Sequence, residues 1–337
     1  MELPSPPHAF SPRLAFFDED SVFFDIWRGT GLEGTAYFAA RNDSVPLIRA
    51  SQTNDIAAVQ NLISSPGLRI DESGLEGETA LHMACALGYA EVAEALISAG
   101  ASLDATDHEG VTPLVHCTRF CPPNDSARVV TILLAAGANP LHIVGLDLAR
   151  YPPLWFAINA HNMSAVRILA PLTPLDFPSE SYHRHITDAA IYSAATHSHA
   201  NTEVLEFLIE CGLPLEPRDL AKAAADDQTF ELIVQALGLS NTQVAQLGHQ
   251  ILLNTWTLHR PYIVPCMKRL VEHYQLDLNE DTVLRLIVSS MSLELLRTSA
   301  TLGLNLNSTT FDEARHWLPR STSKDFEDLV REMCWQP

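Results

Sequence analysis

Apolar and polar positions alternate along this chain at the spacing of short amphipathic helices arranged in pairs. In the segment GETALHMACALGYAEVAEALISAG, which starts at Gly77, the first predicted helix carries apolar residues three and four positions apart, at Leu81, Ala84 and Cys85. A second helix follows Gly88, and its apolar face consists of Val92, Leu96 and Ile97. Neither helix is long enough to bury its apolar face alone, so the pattern predicts helix pairs that stack on neighbouring pairs.

The landmarks of this segment recur at a constant distance. Gly77 and Gly110, Thr79 and Thr112, and Leu81 and Leu114 are each 33 residues apart. A fixed period of this size indicates stacked repeats. The spacing, the GVTPL and GETALH openings, the Ala-rich first helix, the glycine turn and the Gly-Ala ending resemble the ankyrin repeat. In that family His82 has a structural role, tying neighbouring repeat loops together through hydrogen bonds.

The resemblance implies an all-α, ankyrin-type solenoid of about seven or eight stacked helix pairs, with an N-terminal arm and a C-terminal capping helix. Two repeats are clear at 74–143, and degenerate repeats lie on either side. We expect an arm at 1–44, repeats at 45–215, and degenerate repeats with the capping helix at 216–337. A separate helical bundle is the alternative for the last hundred residues. The CPPND insert, Cys121–Asp125, is expected to lengthen the turn between two helices.

Two segments at the ends of the chain extend this picture. The N-terminal arm holds an acidic aromatic segment from Phe16 to Trp27, which either covers the first repeat or binds a partner. Near the other end, Phe326, Leu329, Val330 and Met333 have the spacing of an amphipathic closing helix.

The charge balance narrows the range of partners. The chain has 41 acidic and 21 basic residues, a formal charge of -20, which disfavours nucleic acids and anionic membrane surfaces. We therefore expect a protein partner that offers a basic or amphipathic segment, and a monomeric chain. The sequence has no signal peptide pattern and no long apolar run, which predicts a cytoplasmic or nuclear location. The six cysteines have neither disulfide nor zinc spacing and are expected to be reduced and mostly buried.

No nucleotide-binding, hydrolase or zinc-protease motif is present in the sequence, so we predict no cofactor, no metal and no catalytic residue, and favour a non-catalytic role. Two H-x-H pairs, His183 with His185 and His197 with His199, flank a predicted helix that separates them too far for one site. We interpret them as solvent-facing, with a metal site as the alternative. Cys117 lies where repeats bury a small residue, which disfavours a catalytic thiol.

The predicted binding surface is the concave groove, whose residues follow from the ankyrin register. Apolar and aromatic members stand among charged ones, as binding hot spots require. Packing beneath the N-terminal arm is the alternative explanation for these residues. The predicted groove comprises Leu75, Glu76, Glu78, Leu87, His108, Glu109, Arg119, Phe120, Tyr151 and Asn159.

The runner-up function is a small-molecule enzyme that performs acid–base chemistry, such as isomerisation, cyclisation or hydrolysis, in a closed groove pocket. The gain of aromatic and histidine residues after position 140 motivates this alternative. Its candidate pocket residues are His116, Asp147, Trp155 and His161.

Overall fold

The structure is a computed structural model that describes residues 45–146, 149–175, 182–195, 202–258, 260–290 and 292–304. Within these residues the chain forms helices arranged in successive pairs, which confirms the predicted helical repeat class. The N-terminal arm at 1–44 and the predicted closing helix lie outside the described residues.

The repeat region consists of four consecutive helix pairs. Their bounds are α1 Pro46–Gln52, α2 Ile56–Ile63, α3 Ala80–Leu87, α4 Ala90–Ser98, α5 Pro113–Phe120, α6 Pro123–Ala136, α7 Pro153–Asn159 and α8 Met163–Leu169. The first helices pack in the order α1, α3, α5, α7, and the second helices pack in the order α2, α4, α6, α8. Each pair therefore buries its apolar face against its neighbours, as a stack of repeats requires.

The helix boundaries follow from local chemistry. Thr112 precedes α5 in an extended conformation, and Pro113 occupies the first helical turn, where its missing N–H leaves no hydrogen bond unmade. At the start of α3, Thr79 and His82 form a capping box. Gly88 ends α3 in the left-handed region with φ of 77°, which a glycine adopts without a Cβ clash.

A two-stranded antiparallel hairpin precedes the fourth pair and is the exception to an all-helical description. Strands β1, Val144–Leu146, and β2, Ala149–Tyr151, place Val144 opposite Tyr151 and Leu146 opposite Ala149. Strand β2 ends at Tyr151, two residues before α7 begins at Pro153.

The CPPND insert corrects a sequence-based prediction. The turn between α5 and α6 contains only Cys121 and Pro122, so the insert does not lengthen it. Instead, α6 starts at Pro123 and has 14 residues, whereas α4 has 9. Three of the inserted residues form the first turn of α6. Pro123 suits the first helical position because it has no N–H to leave unpaired, and Asp125 suits the positive end of the helix dipole.

The chain divides into two compact units. Unit 1 comprises Met1–Ala190 with Glu210–Gly212, and unit 2 comprises Ile191–Ile209 with Leu213–Pro337. After the fourth pair come a 3-10 helix at Ala170–Leu172 and two helices, α9 Tyr182–Ala195 and α10 Glu203–Glu210. The domain limits that the sequence suggested remain predictions.

Unit 2 continues with a 3-10 helix at Pro217–Ala225 and five α-helices. These are α11 Asp227–Ala236, α12 Asn241–Leu258, α13 Ile263–Tyr274, α14 Asp281–Ser289 and α15 Leu293–Thr301, with a short 3-10 turn at Arg260–Tyr262. Helix α12 packs against α13, α14 and the 3-10 helix at Pro217–Ala225, and α13 also contacts α15. Among all the helices in the described ranges, none combines the length and apolar composition needed to cross a bilayer.

Candidate partner-binding surface

The loops that precede α3, α5 and α7 form three fingers, here defined by their described residues as finger 2 (71–78), finger 3 (104–111) and finger 4 (139–146 with 149–151). The Glu76 carbonyl accepts a hydrogen bond from the His108 N–H at 2.9 Å, which joins finger 2 to finger 3. His142 Nε2 lies 3.4 Å from the Gly110 carbonyl, which joins finger 3 to finger 4. The fingers are thus connected to each other as well as to their own helices.

His82 connects α3 to finger 3. The Thr79 N–H donates to His82 Nδ1 at 3.0 Å, so Nε2 carries the proton and donates to the Val111 carbonyl, also at 3.0 Å. Burial, together with the neighbouring His116, lowers the pKa of His82 to about 3. The side chain is therefore a neutral structural bridge, in the role that the ankyrin resemblance implies for it.

A second histidine of the stack makes a contact that the sequence did not reveal. His116 Nε2 lies 2.8 Å from Asp107 Oδ2, and both side chains are buried or nearly so. Asp107 Oδ1 also accepts from the N–H groups of Glu109 and Val111, each at 2.9 Å. Burial alone would raise the pKa of Asp107, but the hydrogen bond and charge of His116 outweigh it and lower that pKa. Asp107 thus joins finger 3 to α5.

Arg119 and Phe120 form the surface at the end of α5. The Arg119 guanidinium lies 4.6 Å from the centre of the Phe120 ring, within range of a cation–π contact. Burial lowers the pKa of Arg119, although Glu109 and Asp107 act in the opposite direction. Glu109 lies 3.9 Å from Arg119, and the His116 ring meets the Phe120 ring edge-on at 5.5 Å. These contacts hold both side chains in place before any partner arrives.

Tyr151 and Trp155 continue the surface onto finger 4 and α7. Their ring centres are 4.1 Å apart, and both rings also contact the buried Phe156. They pack on a core cluster made of Val111, Val115, Val144 and Phe156. The Asn159 side chain donates to the Trp155 carbonyl at 2.8 Å. The two aromatic rings therefore combine a structural role with partial exposure.

The predicted groove residues differ in their accessibility. Four are exposed, at Leu75, Glu76, His108 and Glu109, and four are half-buried, at Arg119, Phe120, Tyr151 and Asn159. The Leu75 side chain is 75% exposed, which is unusual for a large apolar residue. Glu78 and Leu87, by contrast, are buried at 4% and 6% exposure, so their predicted place on the open surface is corrected. Leu87 is the last residue of α3, and Glu78 lies in finger 2, two residues before that helix. The remaining eight stay predictions as partner contacts.

The candidate pocket residues of the enzyme alternative are dispersed. His116 pairs with Asp107, which the sequence did not single out, while Asp147 lies outside the described residues. Trp155 is in the first turn of α7, and His161 lies beyond its last residue with φ of 51°. The pair that does form is Asp107 with His116. Their spacing of nine residues was the available signal for it in the sequence.

The thiols and metal-binding side chains were also candidates for chemistry. Cys85 and Cys117 are fully buried, and burial raises the pKa of each thiol well above its ordinary value. A protonated, buried thiol is a poor nucleophile. Within the part of the chain that the structure describes, no group of three histidine, cysteine or acidic side chains could hold a metal ion. The side chains of the two H-x-H pairs lie outside that part.

Comparison with known proteins agrees with this geometry. A family model described as ankyrin repeats in three copies matches residues 47–144. The chain is 29% identical over 171 residues to the tyrosine-protein kinase Shark of Drosophila melanogaster, a match that covers 50% of this chain and 17% of the kinase. The chain thus spans less than a fifth of that relative.

A solved structure is also similar, and it is titled as the predatory endopeptidase Bd0816 from Bdellovibrio bacteriovorus in complex with immunity protein Bd3460. The match has 22% identity and a TM-score of 0.42, and it covers 58% of this chain and 99% of the matched chain. That TM-score is too low to bear on function. The period, the helix pairs, the His82 bridge and the family match agree: residues 47–144 of this chain are ankyrin repeats.

Proposed function

We propose that this chain is a non-catalytic adaptor that captures a basic or amphipathic segment of a partner protein on the surface formed by fingers 2 to 4 and the exposed ends of α5 and α7. Ankyrin repeats are protein-interaction modules, and this general role is the starting point. The partner class, the surface and a cytoplasmic or nuclear location are the parts that we propose.

The observation that carries the proposal is a row of surface side chains held in fixed positions by linked fingers. Leu75 is largely exposed beside Glu76, whose carbonyl is bonded to finger 3. Phe120 and Arg119 lie against each other on α5. A surface that is ordered before binding loses little conformational entropy on association, which favours affinity.

Charge supports the choice of a basic partner segment. Glu76 and Glu109 are exposed on consecutive fingers, and the whole chain carries a formal charge of -20. Complementary charge accelerates association and selects against acidic competitors. Apolar Leu75 and the Phe120 ring offer the non-polar contacts that an amphipathic segment would also need.

Affinity capture followed by mass spectrometry tests the proposal with two matched double variants. Glu76→Lys with Glu109→Lys reverses the surface charge, while Glu91→Lys with Glu272→Lys makes the same change in net charge at exposed positions elsewhere. We expect the first variant to lose a stoichiometric protein partner that the second retains. Equal capture by both variants would contradict the proposed surface.

A second pair of substitutions tests the apolar part of the surface. We expect Phe120→Ala with Tyr151→Ala to abolish capture of the same partner. Because Tyr151 also packs on Trp155 and Phe156, a melting curve must show that the stack is still folded. Leu75→Asp, at a largely exposed position, makes the same test with little risk to folding. Undiminished capture by a folded Leu75→Asp variant and by the double variant argues against these contacts.

A further inference from the structure

A polar cavity lies in unit 2, away from the ankyrin repeats in sequence and formed by separate helices. Its volume is about 370 Å³, and six side chains line it: Asp227, Glu231, Asn241, Arg269, His273 and Tyr274. Asp227 and Glu231 are one turn apart on α11, Asn241 begins α12, and the other three belong to the second half of α13. Cavities of this size are large enough for small ligands or a single side chain.

The one arginine that lines this cavity is already neutralised. Arg269 Nε donates to Asp227 Oδ1 at 2.5 Å, and Nη2 contacts the same oxygen. The Arg269 side chain is only 5% exposed, and its guanidinium lies 4.8 Å from the centre of the Phe230 ring. The third nitrogen, Nη1, has no hydrogen-bond partner but is buried from solvent. The guanidinium is therefore held between α11 and α13, and the Asp227 carboxylate balances its charge.

Glu231, in contrast, is bonded to a phenol rather than to a cation. Its Oε1 atom accepts a hydrogen bond from the Tyr274 hydroxyl at 2.5 Å. Burial and the adjacent Glu231 both raise the pKa of Tyr274, so the phenol stays protonated and donates. A neutral donor does not cancel the carboxylate charge. Two carboxylates and one guanidinium, with histidine left out of the formal count, give the lining a formal charge of one negative unit.

The unused hydrogen-bonding capacity of the cavity consists mainly of acceptors. Within the described residues, Asp227 Oδ2, Glu231 Oε2, the Asn241 side-chain oxygen and the His273 ring have no hydrogen bond that the structure records. The donors of Arg269 Nε, Arg269 Nη2 and Tyr274 are already engaged, and the remaining arginine donor, Nη1, has no partner but is buried from solvent. A ligand that fits such a lining supplies donors and one positive charge.

We propose that this cavity binds a primary ammonium group, either the side chain of a lysine or a free alkylamine. An ammonium has three donors that point in different directions, and the acceptors come from separate residues on α11 and α12. A guanidinium, which is planar, would bind best to a single carboxylate edge-on, and Arg269 already occupies Asp227 in this way. The ammonium site shares no residue with the finger surface, so an experiment can contradict one proposal without contradicting the other.

Nuclear magnetic resonance titration of the full chain tests the site with two matched probes. N-acetyl-lysine methylamide carries the ammonium, and N-acetyl-norleucine methylamide has a similar aliphatic stem without it. We expect saturable shifts at the His273 and Tyr274 rings with the lysine probe and with butylamine, but not with the norleucine probe. Equal shifts with the norleucine probe would overturn the proposal, as would saturation by the lysine probe without any change at these rings.

Two substitutions with opposite expectations complete the test. Glu231→Gln removes the uncompensated charge and is expected to weaken binding of the lysine probe by about tenfold or more. Tyr274→Phe removes the phenol but keeps the carboxylate and frees its Oε1 atom, so binding should be retained or strengthened. Unchanged affinity in Glu231→Gln, or loss of affinity in a folded Tyr274→Phe variant, would refute the site.

Asn241→Ala provides an independent variant if Glu231→Gln disturbs folding. Asn241 is exposed at the start of α12, so its truncation is compatible with the fold. We expect the lysine probe to bind several-fold more weakly, since one neutral hydrogen bond contributes about 1 kcal/mol. Wild-type affinity in this variant would contradict a site in which Asn241 on α12 accepts from the ammonium together with Asp227 and Glu231 on α11. A titration with N-acetyl-arginine methylamide checks the choice of cation, and tighter binding of that probe would overturn it.

Discussion

In the second and third repeats the corresponding helices begin 33 residues apart, yet different side-chain contacts connect their fingers to these helices. In the second repeat, His82 reaches from α3 to the Val111 carbonyl of the next finger. Its counterpart in the third repeat is Val115, which instead joins the apolar cluster around Phe156. His116, one position later, pairs with Asp107 of its own finger. A repeat can thus keep its shape while a polar bridge is exchanged for apolar packing and a local ion pair.

The largest expected effect follows from the His82 bridge and concerns acid stability. In the folded chain His82 stays neutral down to a pKa of about 3, whereas the unfolded chain takes up the proton near 6.5. The contribution is fully present above pH 6.5 and is lost as pH falls from 6.5 towards 3, by about 1.4 kcal/mol per pH unit and roughly 5 kcal/mol in total. Urea unfolding at several pH values measures it.

His82→Gln is the control for this prediction. Glutamine has no proton to gain in this range, so the variant should lose the part of the pH dependence that His82 causes, although it is less stable at neutral pH. The Val115 position has no titratable group to replace, so Val115→Ala should lower stability by a similar amount at every pH. An identical pH dependence in wild type and His82→Gln would show that the bridge is not a neutral histidine.

Two equivalent glycines give the next largest difference. A Cβ added at Gly77 would lie 2.8 Å from the His108 backbone nitrogen, whereas one added at Gly110 meets nothing within 4 Å. Both glycines have positive φ, of 86° and 78°. We expect Gly110→Ala to cost about 1–2 kcal/mol for backbone strain alone, and Gly77→Ala to cost at least about 1 kcal/mol more because it pushes two fingers apart. Equal losses in urea unfolding would indicate that the finger contact is loose.

Asp107→Asn tests the local pair of the third repeat. The asparagine oxygen can still accept from the N–H groups of Glu109 and Val111, but the side chain loses the charge and the second oxygen that face His116. We expect a loss of about 1–3 kcal/mol, the range for hydrogen bonds to charged groups. Because His116 holds the pKa of Asp107 below its ordinary value, this contribution should disappear as pH falls below about 4. Wild type and Asp107→Asn should therefore converge in stability at low pH, and a constant difference would contradict the pairing.

The smallest expected effect is at the surface pair of Glu109 and Arg119. Their charged atoms are 3.9 Å apart, and the Glu109 side chain is 66% exposed. Exposed pairs contribute about 0–1 kcal/mol, so Glu109→Gln should leave the unfolding midpoint nearly unchanged. Partner capture is the sensitive readout for this residue. A large loss of stability would place Glu109 in the scaffold rather than on the binding surface.

Much of the repeat architecture was predictable because its signals are local. Thr112 with Pro113 marks the start of a helix, and Gly88 marks an end, since both act through the backbone of their own turn. The CPPND insert was interpreted wrongly because a proline pair can equally close a loop or open a helix. Only the length of α6 decided in favour of the helix.

The candidate site was less predictable because exposure depends on neighbouring repeats. The ankyrin register placed Glu78 and Leu87 on the open surface with the same confidence as Leu75, yet packing buries the first two and leaves the third exposed. Asp107 was overlooked because its role needs His116 to approach from α5. The cavity of unit 2 draws on residues up to 47 positions apart, between Asp227 and Tyr274, and no short motif announces it.

The sequence by itself determined the period, the helix pairs, their caps and the identity of the ankyrin repeats, because these depend on interactions within one or two turns of the chain. The tertiary structure decided which surface residues are exposed, which contacts connect the fingers, and which charged side chains have a partner of opposite charge. Those properties depend on contacts between side chains far apart in sequence, and their energies are set by burial, which a one-dimensional pattern does not contain.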